Sequence, residues 1–161
     1  MAQGRSLLLS GSLVLLLGGC GFGTLQPLRG LNDQLQRAGT GQSPSLAMGW
    51  LALISGQSGR EQVLLVELGR SMPVPLPGLN RPDAQPLGVS VDGRGERLAL
   101  VRQLEGRTEL VLYNRRTQSL QPLPIKPDGV PRQVNISADG RILAVQVSRG
   151  GLWQVDLLAL P

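Results

Sequence analysis

The fold is decided by the apolar stretch LALV at residues 98–101, which occurs in three related copies in this chain of 161 residues. LALI lies 47 residues earlier at 51–54, and LAVQ lies 45 residues later at 143–146. Because successive side chains of a strand point to opposite faces, a strand that is apolar throughout must be covered on both sides. The repetition therefore predicts three similar β units, each with an inner strand packed between two layers.

A second apolar segment follows each of these stretches after a turn, as expected for the next strand of a meander. VLLVE at 63–67 matches LVLYN at 110–114, and the third counterpart is LWQVD at 152–156, after a loop that is three residues shorter. This alignment gives one repeat position an acid or an amide in every unit. A residue that recurs in every repeat usually serves the repeat and not a single active site. The residues at this position are Glu67, Asn114 and Asp156.

A turn motif precedes two of the three apolar stretches, as SVDG at 90–93 and SADG at 137–140, 47 residues apart. An Asp at the head of a tight turn binds its own backbone, and Gly accepts the positive φ that the turn requires. We therefore assign Asp92 and Asp139 to the turn backbone and not to catalysis. The predicted structural turn residues are Ser90, Asp92, Gly93, Ser137, Asp139 and Gly140.

These turns, each followed by an apolar strand, a Gly-containing loop and a second strand, resemble the S-P-D-G turn of TolB-like propeller repeats over about residues 45–161. Val91 and Ala138 replace the proline of the family motif, and the first unit lacks the turn signature. The resemblance implies an all-β fold of three antiparallel β-meander units, a partial propeller, divided at about 45–88, 89–135 and 136–161. Because closed propellers use four to eight blades, the open edges require capping, a homodimer or a compact sandwich.

The N-terminal region is typical of an export signal. Arg5 precedes a leucine-rich run of 14 residues at 6–19, which is too short to span a bilayer. LGGC at 17–20 resembles the lipobox of bacterial lipoproteins. The resemblance implies acylation of Cys20, the only cysteine, and a chain held at a membrane of the bacterial cell envelope, facing the periplasm. By resemblance to enterobacterial lipoproteins, in which a residue other than Asp after the cysteine directs sorting outward, Gly21 implies the outer membrane.

The predicted segments are therefore a signal peptide with its signal helix at 1–19, a flexible lipidated tether at 20–44 and a repeat domain at 45–161. Gly30 and Gly41 favour the tether, because glycine disfavours a continuous helix.

Composition excludes several classes of chemistry. The chain has no histidine, so neither a Ser-His-Asp nor a Cys-His site can be assembled, and a His- or Cys-ligated zinc site is excluded once Cys20 is acylated. No cofactor is predicted. The net charge of +5 comes from scattered arginines with few aromatic side chains, which predicts no nucleic-acid partner.

These observations favour a non-enzymatic envelope lipoprotein that serves as a protein-binding or scaffold module, with the loops at one end of the repeats as its binding surface. Trp50 and Trp153 are candidate anchors for a partner, although packing between repeats is the simpler interpretation. The alternative is a carboxylate-based envelope hydrolase of glycans or lactones, which requires two convergent carboxyl groups.

Overall fold

One helix and eleven strands make up the regular structure of residues 23, 25–57 and 59–161, which are the residues that the computed structural model describes. The helix is α1 (Arg29–Arg37). The strands are β1 (Thr40–Ala47), β2 (Trp50–Gln57), β3 (Arg60–Glu67), β4 (Met72–Val74), β5 (Ala84–Val91), β6 (Arg97–Leu104), β7 (Arg107–Asn114), β8 (Ser119–Pro122), β9 (Val130–Ile136), β10 (Ile142–Arg149) and β11 (Leu152–Ala159).

The strands form three antiparallel sheets in chain order. The first sheet has the order β1-β2-β3-β4, the second β5-β6-β7-β8 and the third β9-β10-β11. Because neighbouring strands are always consecutive in the chain, each sheet is a meander. The predicted all-β fold of three antiparallel meander units is confirmed.

The central hairpin of every sheet has the same length. Its two-residue turn ends in a glycine, and φ is 78° at Gly59, 76° at Gly106 and 80° at Gly151. Residues with a Cβ disfavour this conformation. The predicted shorter loop in the third unit is therefore wrong. The pairing of Ala144 with Leu157 matches that of Ala99 with Leu112, so the residue equivalent to Asp156 in the second sheet is Val111 and not Asn114.

The sheets stack in chain order. We call the face of a sheet that points towards the start of the stack its leading face, and the face that points towards the end of the stack its trailing face. The leading face of the second sheet, centred on Leu100 and Tyr113, packs on the trailing face of the first, centred on Ile54 and Leu65. The trailing face of the second sheet packs in the same way on the leading face of the third, which includes Val145. The two cores thus lie between sheets, as the two-sided apolar strands predict.

Polar side chains on the first strands of the first and second sheets, β1 and β5, join neighbouring sheets by hydrogen bonds. The hydroxyl oxygens of Ser45 and Ser90 lie 3.1 Å apart, and the Val91 N–H donates to Ser45 Oγ at 3.2 Å. The N–H of Ile136 donates to Ser90 Oγ at 3.0 Å. Ser90 is therefore a buried link between the sheets and lies on β5, before the turn.

Two predicted boundaries differ from the structure. The segment predicted as a tether contains α1 and the first residues of β1, because Thr40 pairs with Gly56 of β2. The predicted unit limits at 88 and 135 fall inside β5 and β9. The sheets begin earlier because the strand before each turn pairs with the strand after it, Val91 with Leu98 and Ile136 with Leu143.

Among the described residues, no helix combines the length and the apolar character that crossing a bilayer would require.

Candidate binding site at the hairpin end

A cleft of about 850 Å³ lies between the first and second sheets, beside the turns at Gly59 and Gly106. We call this end of the molecule the hairpin end. The lining comes from the starts of β1, β3 and β5 and from the ends of β2 and β6. Its longer polar side chains are Arg60, Glu61, Asp83, Gln85, Gln103 and Glu105.

A second cleft of about 510 Å³ shares Glu61 and Gln85 with the first and extends to the third sheet. Arg132, Gln133 and Trp153 line its far side. The two clefts adjoin at Glu61 and Gln85, and we call them together the groove, which is lined by residues of all three sheets.

Glu61 occupies the junction of the two clefts. The side-chain amide of Gln42 donates to Glu61 Oε1, and that of Gln85 donates to Oε2 at 3.2 Å. Each amide has a second N–H and a carbonyl oxygen in addition to the group used here. The groove therefore presents hydrogen-bond donors and acceptors close together, fixed to strands of two different sheets.

Asp83 is held by Arg81 in a two-pronged ion pair. Arg81 Nε donates to Oδ1 at 2.9 Å and Nη2 to Oδ2 at 2.6 Å. These hydrogen bonds lower the pKa of Asp83 below its usual value, so the carboxyl group is ionised near neutral pH. An ionised carboxylate of this kind accepts hydrogen bonds and does not act as a general acid.

Within the ranges 25–57 and 59–161 and at Gly23, no three Asp, Glu, His or Cys side chains converge in a way that could hold a metal ion.

The predicted turn residues make the backbone contacts of two turns in the second and third sheets. Asp92 is fully buried, and its Oδ1 accepts from the N–H groups of Glu96 at 2.8 Å and Arg97 at 3.2 Å. In the third sheet the same role belongs to Ser137, whose Oγ accepts from Arg141 at 3.2 Å and Ile142 at 3.0 Å.

The predicted alignment of these turns is wrong by two residues. Asp92 is equivalent to Ser137, an offset of 45 and not 47, since both close the hairpin in the same way. Gly95 and Gly140 correspondingly donate to the carbonyls of Asp92 and Ser137. Asp139 lies inside the turn, where the Ser137 hydroxyl lowers the pKa of its carboxyl group.

Gly93 joins the two turns, because its N–H donates to the Ala138 carbonyl at 2.9 Å. The turn motif thus fastens the second sheet to the third.

Trp50 packs between the first and second sheets. The Arg115 guanidinium lies 5.0 Å from the centre of its ring, and Arg115 Nε donates to the Gly95 carbonyl at 2.7 Å. A Cβ on Gly95 would overlap the indole ring. The half-buried Trp50 is therefore engaged within the chain, which supports the simpler of its two predicted roles.

Trp153 lies at the rim of the groove on β11. Its side chain is 55% exposed, and the Arg132 guanidinium lies 6.0 Å from the centre of its ring. Of the two candidate anchors, Trp153 is the one whose ring is available to a partner.

Asp156 is engaged by Arg149, whose Nη1 donates to Oδ1 at 2.9 Å. This interaction lowers the pKa of the Asp156 carboxyl group. The carboxylate is part of a surface ion pair of the third sheet.

The proposed lipid attachment residue, Cys20, lies outside the described residues, and its role stays a prediction. The groove residues were not predicted from the sequence. The repeated Gly59-Arg60 and Gly106-Arg107 pairs could have located the turns, but they carry no sign that Gln42, Glu61 and Gln85 meet.

Comparison with known proteins shows the fold and no family. No family model and no curated protein matches the chain. Among solved structures, TolB from Acinetobacter baumannii superposes with a TM-score of 0.57 at 15% identity, over 76% of this chain and 30% of that chain. A Mycobacterium tuberculosis puromycin-hydrolyzing peptidase gives 0.53 at 21% identity, over 74% and 19%. The β-propeller domain of the Trilobed protease from Pyrococcus furiosus gives 0.50 at 12% identity, over 75% and 42%.

The chain thus spans less than half the length of each of these solved chains. At such identities the likeness concerns the fold alone. Three antiparallel meander sheets, stacked face to face as in TolB and propeller domains, are the architecture of this protein.

Proposed function

We propose that this chain is a lipid-anchored lipoprotein of the bacterial cell envelope that binds another envelope protein through the groove at its hairpin end, without catalysing a reaction. The observation that carries the proposal is the groove itself. It combines the fixed amides of Gln42 and Gln85, the carboxylate of Glu61 and the exposed ring of Trp153.

The chemistry of the groove suits a polypeptide segment. Side-chain amides pair with the N–H and C=O groups of a peptide backbone, and a partly exposed Trp supplies apolar contact area at low entropic cost. Binding sites of proteins combine such an apolar contact with a few fixed polar groups.

The contacts of the carboxyl groups support binding over the alternative of a glycan or lactone hydrolase. That chemistry requires one carboxyl group that stays protonated to act as an acid. The Arg81 guanidinium instead lowers the pKa of Asp83, and Glu61 is already engaged by two amides. The peptidase and protease activities named for two similar structures belong to proteins of which this chain spans 19% and 42%.

The anchor is proposed from the lipobox-like residues 17–20. Each buried methylene of an acyl chain contributes about 0.8 kcal/mol, so two or more chains on one cysteine hold a protein stably at a membrane. We expect Cys20→Ser to move the protein from the membrane fraction to the soluble fraction after lysis. A variant that stays with the membranes in high salt would exclude the anchor.

The binding role is tested by a photoreactive amino acid placed at Gln85 or Gln133 in intact cells. Both side chains are exposed and line the groove. The matched control is the same probe at Leu46, which is 69% exposed and lies beside the turn at the opposite end of the first sheet. We expect one discrete crosslinked protein from the groove positions and none from Leu46. Equal crosslinking from both places, or none from either, would contradict the proposal.

A further inference from the structure

The third sheet has an outer edge that no described strand covers. The strands β4 and β8 pair with β3 and β7 and close the first and second sheets, whereas β11 pairs only with β10 in the described part of the chain. The sequence of β11 is LWQVDLLA, which contains no proline and one charged residue. Because a long apolar edge strand is a template for another strand, β11 is open to strand addition.

The direction of the backbone defines which groups of β11 face this edge. The N–H of Leu160 donates to the carbonyl of Arg141, on the β10 side, at 2.7 Å. Because the backbone groups of successive residues in a strand point to opposite sides, those of Val155, Leu157 and Ala159 face away from β10. These three residues offer their N–H and C=O groups to an added strand.

The equivalents of Val155 in the other two sheets show how the fold uses such groups. The carbonyl of Leu110 accepts from the N–H of Leu123, the residue after β8, at 2.8 Å. The N–H of Val63 donates to Asn80 Oδ1 at 2.8 Å, and the Val63 carbonyl accepts from Asn80 Nδ2 at 2.9 Å. In the first and second sheets, the fold therefore pairs the position that faces the edge.

A copy of the segment that closes the second sheet lies before α1. The strand β8 and the residue after it contain LQPL at 120–123, and the same four residues occur at 25–28. We call residues 25–28 the LQPL segment. It belongs to none of the described strands, and its leucines, Leu25 and Leu28, are 99% and 66% exposed. The chain thus carries an unpaired strand sequence as well as an unpaired strand edge.

The match includes the direction of the backbone. Because the N–H of Leu123 points to β7, its neighbour Pro122 faces away, where the missing N–H of proline removes no ladder hydrogen bond. In the LQPL segment Pro27 takes the place of Pro122, and Leu28 takes that of Leu123. The segment can therefore pair with β11 as β8 pairs with β7, and the Leu28 N–H then donates to the Val155 carbonyl.

The LQPL segment does not reach β11 of its own chain while α1 is folded. Ser55 Oγ donates to the Ala38 carbonyl, so the end of α1 is held at the first sheet. From Leu28 to Ala38 the helix covers only about 15 Å, at 1.5 Å per residue. The third sheet lies two sheet spacings of about 10 Å each beyond the first, and β11 is its outer strand. The segment that can reach this edge is therefore that of another copy.

We propose that the LQPL segment of one copy of this chain adds to the outer edge of β11 of another copy as an antiparallel fourth strand. The register of β7 with β8 places Gln26 opposite Leu157. The Leu28 side chain then lies on the trailing face beside Val155, as Leu123 packs on the trailing face of the second sheet. Main-chain hydrogen bonds give affinity in this mode of binding, and side-chain contacts give specificity. The inference is independent of the groove and of its proposed partner.

The test is disulfide trapping between two differently tagged variants of the full chain, mixed in detergent under mild oxidation. One variant carries Gln26→Cys and the other Leu157→Cys, so a bond between them joins two copies. Opposed residues of antiparallel strands have Cα atoms about 4.5–5.5 Å apart, which suits a disulfide. The register control is Val155→Cys, which lies on the same face and is 68% exposed, against 73% for Leu157. The parent chain mixed with Leu157→Cys measures any background from Cys20.

We expect the heterodimer of Gln26→Cys with Leu157→Cys in at least about tenfold higher yield than with Val155→Cys, because diagonal neighbours are about 7–8 Å apart. Equal yields, or no heterodimer, would overturn the proposal. So would a doubly substituted chain that closes within a monomer while the two single variants stay separate, because the segment would then pair within its own chain. If no heterodimer forms and a photoreactive residue at Leu157 captures a different envelope protein, the edge belongs to that partner and not to a second copy.

Two proline substitutions in the Gln26→Cys chain test the hydrogen bonds of the added strand. Leu28→Pro removes the N–H that donates to the Val155 carbonyl and should lower the yield by about tenfold or more. Leu25→Pro is the matched control and should leave the yield unchanged, because Pro73 of β4 occupies the equivalent position in the first sheet. Circular dichroism melting verifies that both variants are folded. Equal losses from the two prolines would contradict pairing in this register.

Discussion

The second and third sheets place similar side chains at corresponding positions but bury them differently. Leu112 of the second sheet and Leu157 of the third occupy the same position of the repeat, and both are leucine. Leu112 lies in a core between two sheets, whereas Leu157 faces outward. The comparison separates the strand pattern, which the repeat carries, from burial, which a neighbouring sheet provides.

The largest difference in stability is expected between the substitutions Leu112→Ala and Leu157→Ala. Removing the buried leucine leaves a cavity in the core and should lower the free energy of unfolding by about 2–5 kcal/mol. Replacing the exposed Leu157 by alanine should lower the free energy of unfolding by less than about 0.5 kcal/mol in a monomeric sample. Urea unfolding followed by circular dichroism measures both values, and equal losses of stability would mean that Leu157 is also covered in solution.

A second test concerns the contact between Trp50 and Gly95, by which the first sheet is fastened to the turn of the second. Alanine at Gly95 or at Gly106 is strained by about 1–2 kcal/mol, because both backbones are left-handed. Alanine at Gly95 also overlaps the Trp50 ring, which should add about 1–3 kcal/mol. Gly106→Ala, where no atom lies within 4 Å of the new Cβ, is the control in thermal unfolding. Equal losses would show that the ring moves aside freely.

The third test addresses the hydrogen bond by which Ser90 of β5 links the second sheet to β9 of the third. Ser90→Ala leaves the buried Ile136 N–H without its acceptor and should cost about 1–3 kcal/mol. Ser119→Ala, at an exposed hydroxyl on β8, should change stability by less than about 0.5 kcal/mol. Chemical denaturation of both variants decides whether this link joins the sheets in solution.

The smallest effect is expected from the ion pair between Arg149 and Asp156 on the third sheet. Because Arg149 lowers the pKa of Asp156, the pair stabilises the fold above the usual carboxyl value of 3.8 and loses this effect as the pH falls through the lowered value. A double-mutant cycle of Asp156→Asn and Arg149→Gln should therefore show a small favourable coupling at pH 7 and none at strongly acidic pH. A coupling that does not change with pH would exclude this explanation.

The repeated strands could be predicted from the sequence, because an apolar pattern on both faces of a strand is a local property. The register of the turns could not. The prediction matched Asp92 with Asp139 by residue type, but the hydrogen bonds show that Asp92 corresponds to Ser137. A carboxylate oxygen and a hydroxyl oxygen can accept hydrogen bonds from the same pair of backbone N–H groups. The position therefore keeps its structural role although the residue type differs between the two sheets.

The groove was beyond sequence reasoning for a different reason. Gln42, Glu61 and Gln85 lie on three strands of two sheets and share no spacing that a repeat would reveal. Exposed glutamine and glutamate are ordinary surface residues in any sequence. Only the stacking of the sheets brings them to the same end of the molecule.

The sequence by itself determined that the chain forms three β-meanders with tight glycine turns, since strand pattern and turn conformation depend on residues close together in the chain. The tertiary structure alone decided which apolar faces are covered and which polar side chains meet in the groove. Burial and convergence depend on how one sheet packs on the next, and no residue carries that information locally. Leu112 and Leu157 are identical in the sequence and differ only in the neighbour that the fold gives them.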